Sequence, residues 1–252
     1  MTYRLAELTT DEAAAAAATG AAVLLPVGAF EQHGPGLPLA TDLVRAERLA
    51  DAVADELGGA AVIGPSVPVG VSPHHLAFAG TVSLRPATFL AVLRDYLDSL
   101  ARHGWRRFLV VTGHGGNNAA LDVLAQDLLR DRPELRFAWA PVTALAADVV
   151  AAMETSEVTG HSGEAETAQM LHLAPDQVRR DRLRPGTTAL DQLEPLTRLS
   201  RSRYPALAVG YDQLSPDGVL GDPRRATAAD GRAIVERATA RLVAFLKEWP
   251  EG

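Results

Sequence analysis

An α/β fold, with a mostly parallel sheet covered by helices on its faces, is what this chain predicts, and three observations predict it. Strand-like and helix-like segments alternate along most of the sequence, the pattern of βαβ units. The strand-like segments are near-continuous apolar runs rather than alternating ones, as in sheets buried on both sides. And 252 residues, 47% hydrophobic and 22% charged, without internal repeat or low-complexity linker, suit a single domain spanning 1–252 with a sizeable core.

The elements follow in order. The alanine run at 13–18 reads as a helix capped at Thr10-Asp11. Residues 21–30 form the first strand. From 42 to 57, Leu43, Ala46, Leu49, Ala50, Val53 and Leu57 recur at helical spacing, and Gly58-Gly59 ends the pattern. A second strand is expected within 60–70, broken by Pro65 and Pro68, and 71–86 reads as a polar and aromatic loop. A helix over 87–103 places Phe89, Leu90, Leu93, Leu97 and Leu100 on one side. Residues 107–114 form the third strand, and Asn117-Asn118 cap a helix running to about Arg130. A fourth strand (136–142), a helical stretch (144–154) and a short helix (163–172) follow. The polar, Arg- and Pro-rich stretch 175–225 reads as surface or oligomer contact. The last helix, 227–247, starts at Thr227 and carries Ile234, Val235, Ala238, Leu242 and Phe245 as its apolar stripe.

Charge and composition narrow the function. The net charge of −7 and a pI near 5.5 argue against nucleic acid and against a polybasic membrane anchor. No stretch is long and apolar enough to span a bilayer, and the N-terminus lacks the basic and apolar regions of a signal peptide, so a cytoplasmic location is expected. With no cysteine in the chain, thiolate metal sites and a cysteine nucleophile are excluded, and any metal must sit on nitrogen and oxygen ligands. There is no G-x-S-x-G elbow and no Gly-rich phosphate loop of the GxGxxG or GxxxxGK[ST] kind.

Three polar blocks lie where strands should end at the carboxyl edge of the sheet, the place where ligands gather in open α/β folds. In an extended segment Glu31 and His33 project to one side, and Asp42 returns nine residues after His33. TGHGGNN contributes His114, and TGHSGEAET contributes His161, Glu164 and Glu166. Singly, each histidine reads as a cap or a core hydrogen-bonder, and each glutamate as a solvated helix face. Their coincidence at one edge points instead to a binuclear site, in which two divalent ions about 3.5–4 Å apart take roughly three ligands each. Glu164 and Glu166 diverge on a helix, so only one of the two is expected to touch a metal.

The blocks PVGAFEQHGPGLPLATD, TGHGGNNAAL and HSGEAETAQML, with the later GVLGDPRRAT, resemble the creatininase (creatinine amidohydrolase) family over about residues 20–240. The resemblance implies a three-layer α/β/α fold, a cytosolic homo-hexamer, and hydrolysis of amide or lactam C–N bonds by a hydroxide bridging two divalent ions, zinc first, with manganese or iron as alternatives. Carried over by position, Glu31, His33, Asp42, His114 and Glu166 match metal ligands, with Asp42 as the bridge, and His161 matches a proton shuttle. Glu164 is placed beside His161 among the catalytic residues, and Ser72, His74, His75 and Gly116 on the substrate side. Two positions depart from the family enzyme: Gly116 stands where it has a glutamate, and Ser72-Pro73-His74-His75 replaces an S-x-E-H pattern. Both argue against creatinine as substrate and leave the metal positions intact. GVLGDPRRATAADGR also resembles the branch that trims a precursor peptide in mycofactocin maturation, so a small amide and a peptide both stand as substrates. A non-catalytic metal-binding assembly protein on the same fold is the alternative from another class.

Overall fold

The computed structural model describes residues 3–200 and 205–250; the stretch 175–225 therefore has four residues, 201–204, outside the described ones. The central sheet has four parallel strands in the order β2-β1-β3-β4: β1 is Ala22–Val27, β2 Ala61–Ile63, β3 Arg107–Thr112 and β4 Arg136–Pro141. Side chains alternate across it. Val23, Leu25, Val27, Phe108 and Val110 pack against α3 (Pro86–Arg102) and α4 (Asn118–Asp131). Leu24, Leu109 and Val111 face α2 (Thr41–Leu57) and α8 (Ala228–Glu248) on the other side. This gives the three expected layers, with β1, β2 and β3 buried on both faces and β4, which opens on the exposed Arg136, only half-buried.

Chain order runs from β1 outward to β2, then returns to place β3 on the other side of β1. The order reverses between β1 and β3, and in open parallel sheets the crevice beyond the strand ends at such a point is where ligands bind. Short elements close that edge: α5 (Ala147–Ala151), α6 (Glu164–Leu173) and the turn Tyr211–Gln213, which lies beyond the short α7 (Pro195–Ser200).

Several expectations are corrected. The second strand is only three residues long, because Pro65 and Pro68 supply no N–H for the ladder; beyond them Val67 makes a single bridge to Val27. The first helix, α1 (Thr10–Ala18), is capped by Thr9, whose hydroxyl and backbone form a reciprocal capping box with Glu12. Asn117 does not cap α4; its side chain is spent on the neighbouring loops. The helical stretch after β4 shrinks to a 3-10 turn and the five residues of α5. Phe245 is 43% exposed and packs against Trp249, while Val243 and Leu246 join the buried stripe of α8 in its place. Nor is 175–225 wholly surface: Ser215, Val219, Leu220 and Asp222 are buried, and the Leu220 backbone N–H donates to the His161 carbonyl.

Candidate active site

The first block leaves β1 as irregular chain, and its residues alternate in direction. Glu31 and His33 turn into the edge of the sheet, while Gln32 turns toward the loop carrying His75. Asp42 enters from the first turn of α2. That helix sits unusually close to the end of β3, since a Cβ on Gly113 would collide with the Asp42 carbonyl. His114 follows two residues after β3, and Glu166 lies in the first turn of α6.

These side chains form one buried cluster. His114 Nδ1 is 3.1 Å from Glu31 Oε1 and 3.3 Å from Asp42 Oδ2. His33 Nε2 is 3.3 Å from Asp42 Oδ1 and 3.6 Å from Glu166 Oε2. His161 Nδ1 is 3.5 Å from Glu31 Oε1 and 4.0 Å from Glu166 Oε2. Asp42 thus stands between a Glu31/His114 half and a His33/Glu166 half. Glu31 is fully buried, and among the described residues neither of its carboxylate oxygens has a hydrogen-bond partner; nor do His33 Nε2 and Asp42 Oδ2. A buried carboxylate without donors is expensive unless positive charge compensates it.

The outward nitrogens of the histidines say which way the inward ones face. His33 Nδ1 lies 3.2 Å from the Glu31 carbonyl, His114 Nε2 3.0 Å from the Val71 carbonyl and His161 Nε2 2.7 Å from the Gln32 carbonyl. Each of these outward N–H groups donates to a backbone oxygen, so in the neutral ring the other nitrogen points bare into the cluster, the arrangement metal-ligating histidines adopt. His75 is turned the other way. Its Nδ1 accepts from the Gln32 amide at 2.9 Å, which leaves the proton on Nε2, 3.3 Å from Glu31 Oε1.

Without a cation the carboxylates draw protons onto two of these rings. Burial alone would lower His33, but Asp42, with Glu166 and Glu31, outweighs it and carries the imidazole up to about 9. Burial likewise opposes charge on His114, and Asp42 and Glu31 lift it to about 10. His161 goes the other way, held well below its ordinary value by burial and by the neighbouring His33 and His75. The donor set therefore fits divalent cations on chemical grounds: three carboxylates, bare imidazole nitrogens and a demand for positive charge, all on N and O ligands.

The second and third blocks are braced by residues to which sequence reasoning gave no part in the site. Asn117 accepts from Val71 N at 2.9 Å and donates to the Gly28 carbonyl at 3.0 Å, tying the loops after β1 and β2 to the end of β3. Ser162 holds a left-handed backbone (φ 54°), alone among the described non-glycine residues. That strain aims its N–H at Glu166 Oε2 (2.7 Å) while its hydroxyl donates to the His33 carbonyl (2.7 Å). Arg45, fully buried, reaches both Asp42 and Glu166. Its position three residues after Asp42 puts it on the same helix face, a signal present in the sequence and unused.

Glu164 is not brought into the cluster, against its placement among the catalytic residues. Its Oε1 accepts from Ser156 N (2.8 Å), Ser156 Oγ (2.6 Å) and Asp222 N (3.0 Å), and its Oε2 from Thr159 Oγ1 (2.7 Å). Of the substrate-side set, Ser72 is buried, with Oγ 3.3 Å from His114 Nε2. His74 stacks on His114 with ring centroids 5.5 Å apart, and burial lowers its pKa to about 4. Gly116 has no room for a side chain: a Cβ would collide with His114 Nε2, the Val71 carbonyl and the His74 ring. Tyr211, from the long irregular segment, packs on His75 at 4.2 Å and edge-on to His161 at 5.3 Å.

Above the cluster opens a cleft of about 640 Å³. His74, His114, His161, Glu166 and Tyr211 line its polar side, and Val142, Ala144, Ala147 and Val150 its apolar wall.

Comparisons with known proteins bear on the fold and the family. The family model for creatininase (creatinine amidohydrolase) matches residues 6–246. The chain belongs to the creatininase family. Within it, a mycofactocin precursor peptide peptidase of Mycobacterium ulcerans (strain Agy99) is 34% identical over 258 residues, 98% of this chain and 93% of the relative. The counterpart from Mycolicibacterium smegmatis is 37% identical over 90% of this chain and 85% of its own length. The creatinine amidohydrolase of Pseudomonas putida is 33% identical over 70% of this chain and 74% of its own length. Among solved structures, one described as "Creatininase Mn" superposes with a TM-score of 0.83 at 26% identity, covering 98% of both chains. The creatininase fold and membership of a hydrolase family are thereby shown. No helix of the described residues is long and apolar enough to cross a membrane.

Proposed function

We propose that this chain hydrolyses an amide C–N bond using two divalent cations, one held by Glu31 and His114, the other by His33 and Glu166, with Asp42 shared between them. The observation that carries this reading is the carboxylate cluster in which both Glu31 oxygens and Asp42 Oδ2 are buried without a hydrogen-bond donor and are faced by bare imidazole nitrogens. When bound, such ions supply Lewis acidity toward the carbonyl and a water of lowered pKa.

The chain's own residues account for the rest. The Gln32 carbonyl fixes the tautomer of His161, so that Nδ1 faces the space between Glu31 and Glu166. Kept neutral by burial beside His33 and His75, that nitrogen is free to take a proton from the attacking water and pass it to the departing amine. The net reaction adds water across the bond: the acyl carbon gains oxygen, the nitrogen gains hydrogen, and an acid and an amine leave. His75 and Tyr211 pack His161 in place. The His161→Ala variant should retain its ions and lose turnover by about 100-fold or more, the range for a proton-transfer residue; full activity would remove His161 from the mechanism.

A second reading, a peptide substrate, is favoured by particular observations. The mycofactocin peptidases match over a larger share of this chain than the creatinine amidohydrolase does. Gly116 cannot carry the family enzyme's glutamate without displacing His74. And a cleft of about 640 Å³ with an apolar wall is roomy for a small lactam. Assaying creatinine, simple lactams, formamides and short peptides side by side decides between the readings: turnover of peptides alone supports the second, turnover of a lactam alone rejects it.

A further inference from the structure

A buried arginine without function is costly, since removing a guanidinium from water takes several kcal/mol that only well-placed acceptors return. Arg45 is 0% exposed, and its acceptors come from four separate segments beside the cluster. Nη1 donates to Asp42 Oδ1 at 3.2 Å, Glu166 Oε1 at 2.7 Å and the Gly113 carbonyl at 3.1 Å. Nε donates to Gln169 Oε1 at 3.1 Å, and Nη2 to the Thr143 hydroxyl. The one side chain therefore links α2, α6, the end of β3 and the turn after β4.

What this does to the two carboxylates is directional. With Glu166 Oε1 taken by Arg45, Oε2, which also accepts from Ser162 N at 2.7 Å, faces His33 at 3.6 Å. Asp42 Oδ2 is likewise left for His114, while Oδ1 lies between the guanidinium and His33. Glu166 needs such a hold more than the others. Its side chain is 16% exposed where Glu31 and Asp42 are shut in at 0% and 1%, and it borders the open cleft.

We propose that Arg45 is a positioning residue, the latch that turns Glu166 toward His33 and so completes the binding site of the second cation. The inference rests on the two-cation reading above. It deepens that reading by naming what stands in for the glutamate that Gly116 cannot carry: a glutamate from α6, set by an arginine from α2. A flexible ammonium cannot reproduce a planar fork reaching several acceptors at once, so lysine should not replace it.

The test is a calorimetric titration of metal-free protein with Zn²⁺. Wild type should take up two ions per chain. Arg45→Lys and Arg45→Met should keep the first and bind the second about 10–100-fold more weakly, the usual effect of removing a ligand's hydrogen-bond partner. Glu166→Gln should lose the same ion, and Arg45→Met added to it should cost no more, because the two act through one contact. Were Arg45 a mere counter-charge, Arg45→Met would bind the second ion more tightly; were it a scaffold alone, both ions would weaken together. Either result overturns the proposal, as does an Arg45→Lys variant matching wild type while two ions still bind, which would leave the two-cation reading standing. Fewer than two ions in wild type overturns both. If Arg45→Met does not fold, Thr143→Val removes a single contact of the guanidinium; a few-fold loss at the second ion alone supports the latch, and unchanged affinity refutes it.

Discussion

Glu164 offers a sharp separation of structure from chemistry. Its carboxylate anchors the loop carrying His161 by accepting from Ser156, Thr159 and the backbone of Asp222. Replacing it by alanine strands two buried backbone N–H groups and two hydroxyls. At about 1–3 kcal/mol for each buried donor left without an acceptor, the two N–H groups alone cost about 2–6 kcal/mol. Glutamine keeps an oxygen where Oε1 stands, and Thr159 can rotate to accept from the new amide. That variant loses charge assistance and little else, about 1–2 kcal/mol. Burial pushes the Glu164 pKa up, and the hydrogen bonds from Ser156, Asp222 and Thr159 outweigh it and bring it below the ordinary 4.5. A carboxylate lowered on folding stabilises above its unfolded pKa and ceases to as pH falls through the folded value. Urea unfolding should therefore show the gap between wild type and Glu164→Ala full at pH 7 and closing below about pH 4.5. Assayed well below its melting temperature, Glu164→Gln should hold its metal and turn over within a few-fold of wild type. A Glu164→Gln protein of unimpaired stability that loses its metal or its activity by orders of magnitude would refute this reasoning and return Glu164 to the chemistry.

Two further outcomes follow from the geometry. Gly113→Ala drives a Cβ into the Asp42 carbonyl, so it should destabilise by about 1–3 kcal/mol as overpacking does and weaken metal binding as α2 shifts; wild-type affinity in a stable Gly113→Ala protein would contradict the close approach. Metal-free protein holds His33 and His114 protonated at neutral pH, their pKa values near 9 and 10, so loading the site at pH 7 should release about two protons per chain. Titration in buffers of different ionisation enthalpy measures this, and release near zero would contradict the charge state assigned to the two rings.

Much of this arrangement could be read from residue order. Continuous apolar strands such as Val23–Val27 and Phe108–Val111 announce burial on both faces, and the strand–helix alternation then fixes which loops share an edge; Glu31, His33, Asp42, His114, His161, Glu164 and Glu166 fall out of that logic together, and the family resemblance alone singles out Glu166 as the ligand. What sequence reasoning lost depends on direction rather than position. Glu164 and Glu166 stand two apart on one helix, and only the fold decides that the first faces the Ser156 loop and the second the cluster. Arg45 sits on a helix whose other apolar positions spelled out a core face, and a buried charge there is intelligible only once Asp42 and Glu166 are seen to flank it. Tyr211 comes from a stretch whose polar composition signals surface, because a single aromatic held by long-range packing leaves no periodic trace. The strand end near Pro65 and the exposure of Phe245 were local matters, set by missing N–H donors and by Phe245 lying off the helix face that Val243 and Leu246 turn to the core.

The two-cation claim is met most directly by anomalous diffraction from crystals grown with zinc, recorded on both sides of the zinc absorption edge. Two peaks about 3.5–4 Å apart should appear, one within bonding distance of Glu31 and His114, the other of His33 and Glu166, with Asp42 touching both. A single peak, or peaks away from these five side chains, would contradict it.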